Sequence, residues 1–166
     1  MPACNGKMML VRSFVTGMKM VAVEPSSNPF LALADDKLID FSALVPSQIH
    51  DIVRSDKASE LNGINTIIIG GAAIDTETRE MLQRFRCRFY ATYGMTETIS
   101  HVALSALNGS SATDNYTVLP GITIAQDARG CLVIESDFLS EKVITNDLVE
   151  IGDANSFKWL GRWDNV

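Results

Sequence analysis

The spacing of apolar and polar positions changes character about two thirds of the way along this chain. Met8, Met9, Leu10, Val11, Phe14 and Val15 make Gly6–Thr16 an almost fully apolar stretch with Arg12 inside it, which predicts a buried amphipathic helix ending at Gly17. Met18–Val23 reads as a strand and Pro25–Pro29 as a turn-rich loop. Phe41–Val45 predicts a short strand. Pro46 then opens a helix, at the first-turn position proline tolerates, with Ile49, Ile52 and Val53 on one face and a stop at Asn62-Gly63. Thr66–Ile69 is β-branched and apolar throughout, as in a strand buried on both faces. Asp75 can cap the next helix, which turns Met81, Leu82 and Phe85 inward. Arg88–Thr92 is a further strand, ended by Gly94. Strand and helix thus alternate over roughly the first 105 residues, the signature of a mostly parallel sheet with flanking helices.

Beyond that point the helical period disappears. His101–Leu107, Ile122–Ala125, Cys131–Glu135, Leu148–Ile151 and Phe157–Leu160 read as short strands, separated by turn signals at Asn108-Gly109, Pro120-Gly121, Arg129-Gly130 and Gly152-Asp153. The expected fold class is therefore α/β: a sheet subdomain over residues 1–110, then a small β-rich subdomain, barrel or sheet, over 111–162.

Composition narrows the function more than the fold. The chain has 166 residues, 46% hydrophobic and 20% charged, enough for one domain with a real core. A net charge of -6 argues against non-specific nucleic-acid binding, which needs Lys and Arg to neutralise phosphates, but leaves room for one nucleotide in a local site. Cys4, Cys87 and Cys131 are widely spaced, and His50 and His101 belong to no metal-ligand spacing; neither a disulfide framework nor a zinc site is suggested, and reduced cytoplasmic thiols are the simple reading. The apolar run Met8–Met20 is broken by Arg12, Gly17 and Lys19 and lacks a signal cleavage site, so no membrane partner is expected.

The most informative stretch is Thr92-Tyr93-Gly94-Met95-Thr96-Glu97-Thr98, at the carboxyl end of a buried strand, where open α/β sheets bind ligands. Tyr93 offers a flat face to a base, Thr96 a hydroxyl to a phosphate, and Glu97 a hard oxygen to magnesium. A capped strand-to-helix turn with a solvated Glu accounts for the same residues about as well. Gly70-Gly71-Ala72-Ala73 closes the preceding strand with side chains small enough for a ligand to reach the backbone, or is a plain tight turn. In Thr145-Asn146-Asp147 the carboxylate can accept both hydroxyls of a ribose, or simply belong to a turn. In Gly161-Arg162-Trp163-Asp164 the guanidinium can hold a hydroxyl or phosphate oxygen, or sit on the surface.

Taken in order and spacing, these four pieces resemble the signature segments of the adenylate-forming superfamily of acyl-CoA synthetases, adenylation domains and luciferases, over nearly the whole chain. Tyr93–Thr98 resembles its aromatic-Gly-x-Thr-Glu segment and is the specific match. Gly70-Gly71-Ala72 resembles the Gly-Gly segment of the adenine pocket. Thr145-Asn146-Asp147 resembles Thr-Gly-Asp, and Gly161–Asn165 resembles the Gly-Arg-x-Asp-Asp hinge, each with Asn at one place. The resemblance implies a piece of the large N-terminal domain of such an enzyme. It implies nucleotide contacts from Gly70, Gly71, Ala72, Tyr93 (beside adenine), Gly94 and Thr96 (on the AMP phosphate), magnesium held by Glu97, and ribose held by Asp147 and Arg162. Thr96 and Glu97 would be catalytic, and residues 163–166 would begin a hinge to a C-terminal domain, with Asp164 its pivot.

Within the superfamily, Gly6–Arg12, Ser42–Gln48 and Gly70–Ile74 resemble the o-succinylbenzoate-CoA ligases of menaquinone biosynthesis. That implies ATP, Mg2+ and CoA, a two-step reaction through an acyl-adenylate, and an aromatic dicarboxylate substrate. Arg12 could then pair with the carboxylate that is not activated, or form an internal ion pair; Ser100 and His101 could line the acyl pocket, or simply pack. Another acyl- or aryl-CoA ligase, or a non-catalytic nucleotide-binding module, fits the same residues. The family's phosphate loop ending in lysine and its C-terminal domain have no counterpart among the 166 residues. The chain by itself is thus expected to have little adenylation activity, and to self-associate or be of limited stability.

Overall fold

The computed structural model describes residues 4–33 and 38–165, which fall into two compact units, Met1–Tyr90 and Ala91–Val166. It is a mixed α/β fold with nine strands among the described residues.

The first unit opens with α1 (Cys4–Thr16). Its apolar stretch is helical as predicted but not buried as predicted: Leu10 and Val11 are half exposed, Phe14 is 91% exposed and Val15 74%. Met18–Val23 is not a strand. A strand needs a neighbour to take its backbone hydrogen bonds; here no described ladder receives this run, and Met20 and Val21 stay exposed.

The core of this unit is built on β1 (Ile39–Leu44) and β2 (Ile64–Ile69), paired in parallel with Phe41 opposite Thr66 and Leu44 opposite Ile69. Their crossover is α2 (Pro46–Arg54), entered through Pro46 and burying Ile49, Ile52 and Val53. The helix ends earlier than Asn62-Gly63, because Ser55 is extended and turns both its backbone N–H and its hydroxyl back onto the Ile52 carbonyl. Asn62-Gly63 closes a separate 3-10 segment, Ala58–Gly63. In α3 (Thr76–Leu82), Asp75 is the N-cap, accepting from the Thr78 backbone N–H at 2.7 Å and the Thr78 hydroxyl at 2.6 Å. Leu82 is fully buried; Phe85, beyond the helix end, is buried edge-on to Phe89. Arg54 donates to the Thr78 hydroxyl at 3.1 Å and pairs with Glu77 at 3.0 Å, tying α2 to α3. Strand β3 (Arg88–Gly94) begins here with Phe89 in the core.

The second unit is a sheet in which the end of β3 neighbours β4 (His101–Ala106), followed in space by β5 (Asn115–Val118), β9 (Ser156–Arg162), β8 (Val143–Asp153), β7 (Cys131–Ser136) and β6 (Ile122–Gln126). From β4 onward every pair is antiparallel. Strand β5 has no counterpart in the predicted elements, and β8 is longer than the Leu148–Ile151 expected. Val102, Ala103, Val118, Ile122, Leu132, Ile134, Val149 and Phe157 form one buried cluster on this sheet. The periodic, alternating residues of the short strands supply that single apolar face.

Candidate functional site

Strands β8 and β9 make the site. Asp147 faces Arg162 across the ladder and Val149 faces Trp159, yet between these pairs β9 holds one residue more than β8. Leu160 is that extra residue, a β-bulge. Side chains alternate faces along a strand, so without the bulge Trp159 and Arg162 would point to opposite sides. With it, Trp159, Arg162, Asp147 and the buried Val149 share one face.

On that face Asp147 is 7% exposed, and its carboxylate is closely held. The Tyr93 hydroxyl donates to Oδ2 at 2.6 Å, the Trp159 indole N–H donates to Oδ1 at 3.2 Å, and Arg162 Nη1 lies 3.8 Å from Oδ1. The Asp147 backbone N–H donates to Thr145 Oγ1 at 3.0 Å, fixing the strand at that point. A second clamp comes from the β6–β7 turn. Arg129 donates to Asn146 Oδ1 at 2.9 Å and to the Thr145 carbonyl at 3.0 Å, and is itself oriented by Asp127. Asn146, which stands where the family segment has Gly, is thus a working acceptor in this chain.

Tyr93 reaches Asp147 because its ring is packed edge-on to Phe157 at 5.0 Å and to Tyr116 at 5.7 Å, while Tyr116 stacks on Phe157. Burial, and then the hydrogen bond and charge of Asp147, hold the Tyr93 phenol neutral well above its ordinary titration range. Arg162 gives its planar fork to Asp164, Nε to Oδ1 at 2.9 Å and Nη2 to Oδ2 at 2.8 Å. This bidentate pair raises the arginine above its usual value and lowers the Asp164 carboxyl.

After β3 the chain makes a 3-10 turn, Thr96–Thr98. Thr96 and Glu97 are exposed, free to face a ligand; Thr98 is buried and anchors the turn, its Oγ1 accepting from the Met95 N–H at 3.0 Å. Ile99 follows at φ 66, a conformation a β-branched residue enters only under strain. A 2.6 Å bond from the Ser100 N–H to the Thr98 carbonyl spans it as a tight three-residue turn. Ser100 Oγ lies 3.4 Å from His101 Nδ1 at the start of β4. Gly94 is held against this segment: a Cβ there would lie 2.4 Å from His101 Cα and 2.5 Å from the Ser100 carbonyl oxygen.

The remaining candidates belong to the first unit. The Gly70 N–H donates to the Leu44 carbonyl at 3.2 Å; Gly71, at φ 97, and Ala72 are exposed. Arg12 is half-buried with its guanidinium 5.9 Å from the centre of the Phe41 ring, and burial lowers its pKa. The structure therefore brings Tyr93, Asp147 and Arg162 together, with Thr96 and Glu97 on the turn that follows Tyr93. Trp159 and Arg129 are the residues of this site that sequence reasoning missed.

Residues 3–129, well over half of the chain, match the AMP-binding enzyme family. The chain belongs to that family. Asp147 and Arg162 lie past the matched residues, but the likeness to solved members includes them. An acyl-CoA synthetase (AMP-forming)/AMP-acid ligase II-like protein from Dyadobacter fermentans is 39% identical with a TM-score of 0.84, over 98% of this chain and 47% of that one. O-succinylbenzoate coenzyme A synthetase from Bacillus subtilis, in complex with ATP and magnesium ion, shares the fold at 18% identity and TM-score 0.74, over 98% of this chain and 40% of that one. The N-terminal domain of FACL13 from Mycobacterium tuberculosis shares it at 16% identity and TM-score 0.75, over 96% and 48%. This chain thus spans about half or less of the length of these structures. A search of curated proteins finds no match. The expected α/β fold of this family's N-terminal region is the fold observed.

Proposed function

We propose that this chain carries much of the nucleotide site of an AMP-forming acid–CoA ligase. The observation that carries the reading is the Asp147 carboxylate: buried, held by one donor on each oxygen, and set opposite Arg162 in a chain of the AMP-binding family. A carboxylate has about four acceptor positions, so two remain for the hydroxyls of a ribose. In the reaction read here, a substrate carboxylate oxygen attacks the α-phosphorus of ATP and pyrophosphate leaves; the CoA thiol then displaces AMP. Asp147 and Arg162 fix the ribose, Tyr93 borders the base, and the exposed Thr96 hydroxyl faces a phosphate oxygen. Glu97 suits magnesium, which takes one or two carboxylates and otherwise binds substrate phosphates and water; the ion would neutralise phosphate charge. We read this chain alone as turning over little, and substrate-dependent pyrophosphate release would contradict that part.

The finer reading is an o-succinylbenzoate ligase of menaquinone biosynthesis. It rests on the segments Gly6–Arg12, Ser42–Gln48 and Gly70–Ile74, and on the apolar setting of the Arg12 guanidinium, which suits a second, unactivated carboxylate. In this reading Ser100 and His101 line the acyl pocket. The name of the Dyadobacter relative supports the broader ligase class. Among the described residues no helix is long and apolar enough to cross a membrane, and a cytoplasmic location accords with the CoA chemistry.

Calorimetric titration with AMP, and with ATP plus magnesium, beside an Asp147→Ala chain, tests the site. Binding that the substitution abolishes supports the reading; binding indifferent to it removes Asp147 from the nucleotide site.

A further inference from the structure

A strand residue more than a third exposed contributes little to a core, and Trp159 is 38% exposed while Phe157, two residues earlier on β9, is wholly buried. The size of the Trp159 side chain therefore calls for another explanation. Its indole N–H points at Asp147 Oδ1, 3.2 Å away, across the strand pair. The Tyr93 hydroxyl holds the other oxygen from a different strand. Two donors on opposite oxygens fix the rotation of the carboxylate plane, which neither could do alone. They also leave one acceptor position on each oxygen, the arrangement a vicinal diol requires. Arg162 is poorly placed to share this task, because its fork is given to Asp164 and its nearest approach to Asp147 is 3.8 Å.

We infer that Trp159 is a positioning residue for ribose recognition, which pins the Asp147 carboxylate so that the site reads the 2′ and 3′ hydroxyls of its nucleotide. The inference rests on the nucleotide reading of Asp147 given above. Trp159 acts through Asp147. Its effect belongs to ligands that carry the diol and is absent for ligands that lack it.

The test compares Trp159→Phe with the unaltered chain, using AMP and 2′,3′-dideoxy-AMP as ligands and thermal melting as a check on folding. Phenylalanine keeps an aromatic ring and removes the N–H. The expected result is AMP affinity weakened about 5-fold, the loss of one ordinary hydrogen bond, with dideoxy-AMP bound equally by both chains. Equal weakening for both ligands would show that Trp159 acts through packing and would overturn the inference, as would no weakening of AMP. Asp147→Ala separates the two levels. If it leaves AMP affinity intact, or if the unaltered chain binds no AMP, the nucleotide reading falls and this inference with it. If it abolishes binding while Trp159→Phe does not weaken it, only the inference falls. Should Trp159→Phe fail to fold, the indole N–H resonance of Trp159 in a Trp163→Phe chain gives the same answer: it shifts on adding AMP and not dideoxy-AMP, and a resonance unmoved by bound AMP refutes the role.

Discussion

A methyl group at position 94 has nowhere to go. The atoms it would meet are backbone, His101 Cα and the Ser100 carbonyl, so relief requires moving the start of β4. Gly94→Ala is expected to lose about 3 kcal/mol, the upper end of overpacking costs, measured as a shift of the urea midpoint. The neighbouring Tyr93 makes a second prediction. Its phenol is kept neutral by burial, so its titration in the folded state lies above that of the unfolded chain, whose ordinary value is 10.0. A group whose folded pKa is raised stabilises fully below the unfolded pKa and loses that contribution as pH rises past it. Unfolding free energy should therefore fall above about pH 10. Tyr93→Phe, which deletes the bond to Asp147, should cost about 1–2 kcal/mol at pH 7 and flatten that alkaline fall. At this scale Tyr93, Asp147 and Arg162 were legible, because each sits in a short segment with its own chemical sense. Trp159 was not: its hydrogen bond crosses between strands, and no local spacing announces a register.

Elements were legible where the chain closes its own hydrogen bonds and illegible where a neighbour must. Pro46, the buried stripe of α2 and the Asp75 cap are local signals, and each was found where it was read. Met18–Val23 has the apolar content of a strand but no described partner, and β5, only four residues long, earns its place solely by pairing with β4 and β9. The cap of α3 supplies the element-scale prediction. Hydrogen bonds from the Thr78 side chain and backbone lower the Asp75 carboxyl below its ordinary 3.8. A depressed carboxyl stabilises above its unfolded pKa and loses that contribution as pH falls through the folded one. Asp75→Ala should lower the melting temperature by roughly a few degrees at pH 7 and leave no difference in strong acid, read by circular dichroism from pH 7 down to about 2.

At the scale of the whole molecule, the alternation of strand and helix followed by strands alone gave the α/β class and the β-rich second half. Burial was harder to read. An apolar helix predicts that something covers it, and periodicity does not say what. Any self-association of this chain is expected to run through the outward side chains of α1, with Phe14 91% exposed. Phe14→Glu should reduce concentration-dependent light scattering while moving the melting temperature by less than about 2 °C, since an exposed side chain contributes little to the fold. A Glu variant that scatters as before would place the sticky surface elsewhere.

The bulge at Leu160 makes the distance from Trp159 to Arg162 a matter of parity and not of composition. The Leu160 side chain is 57% exposed, so its identity is nearly free, and Leu160→Ser should melt and bind as the unaltered chain does. Its presence answers to the same parity. Deleting that one residue would leave Trp159 and Arg162 two apart in a plain strand, still opposite Val149 and Asp147, so Arg162 keeps its face and nucleotide affinity should survive wherever the sheet does. Only a strand that ran straight through all four residues would turn Arg162 away, so along this stretch the chain can accept many substitutions in the course of descent, and even the loss of the bulged residue, but not the loss of the kink alone.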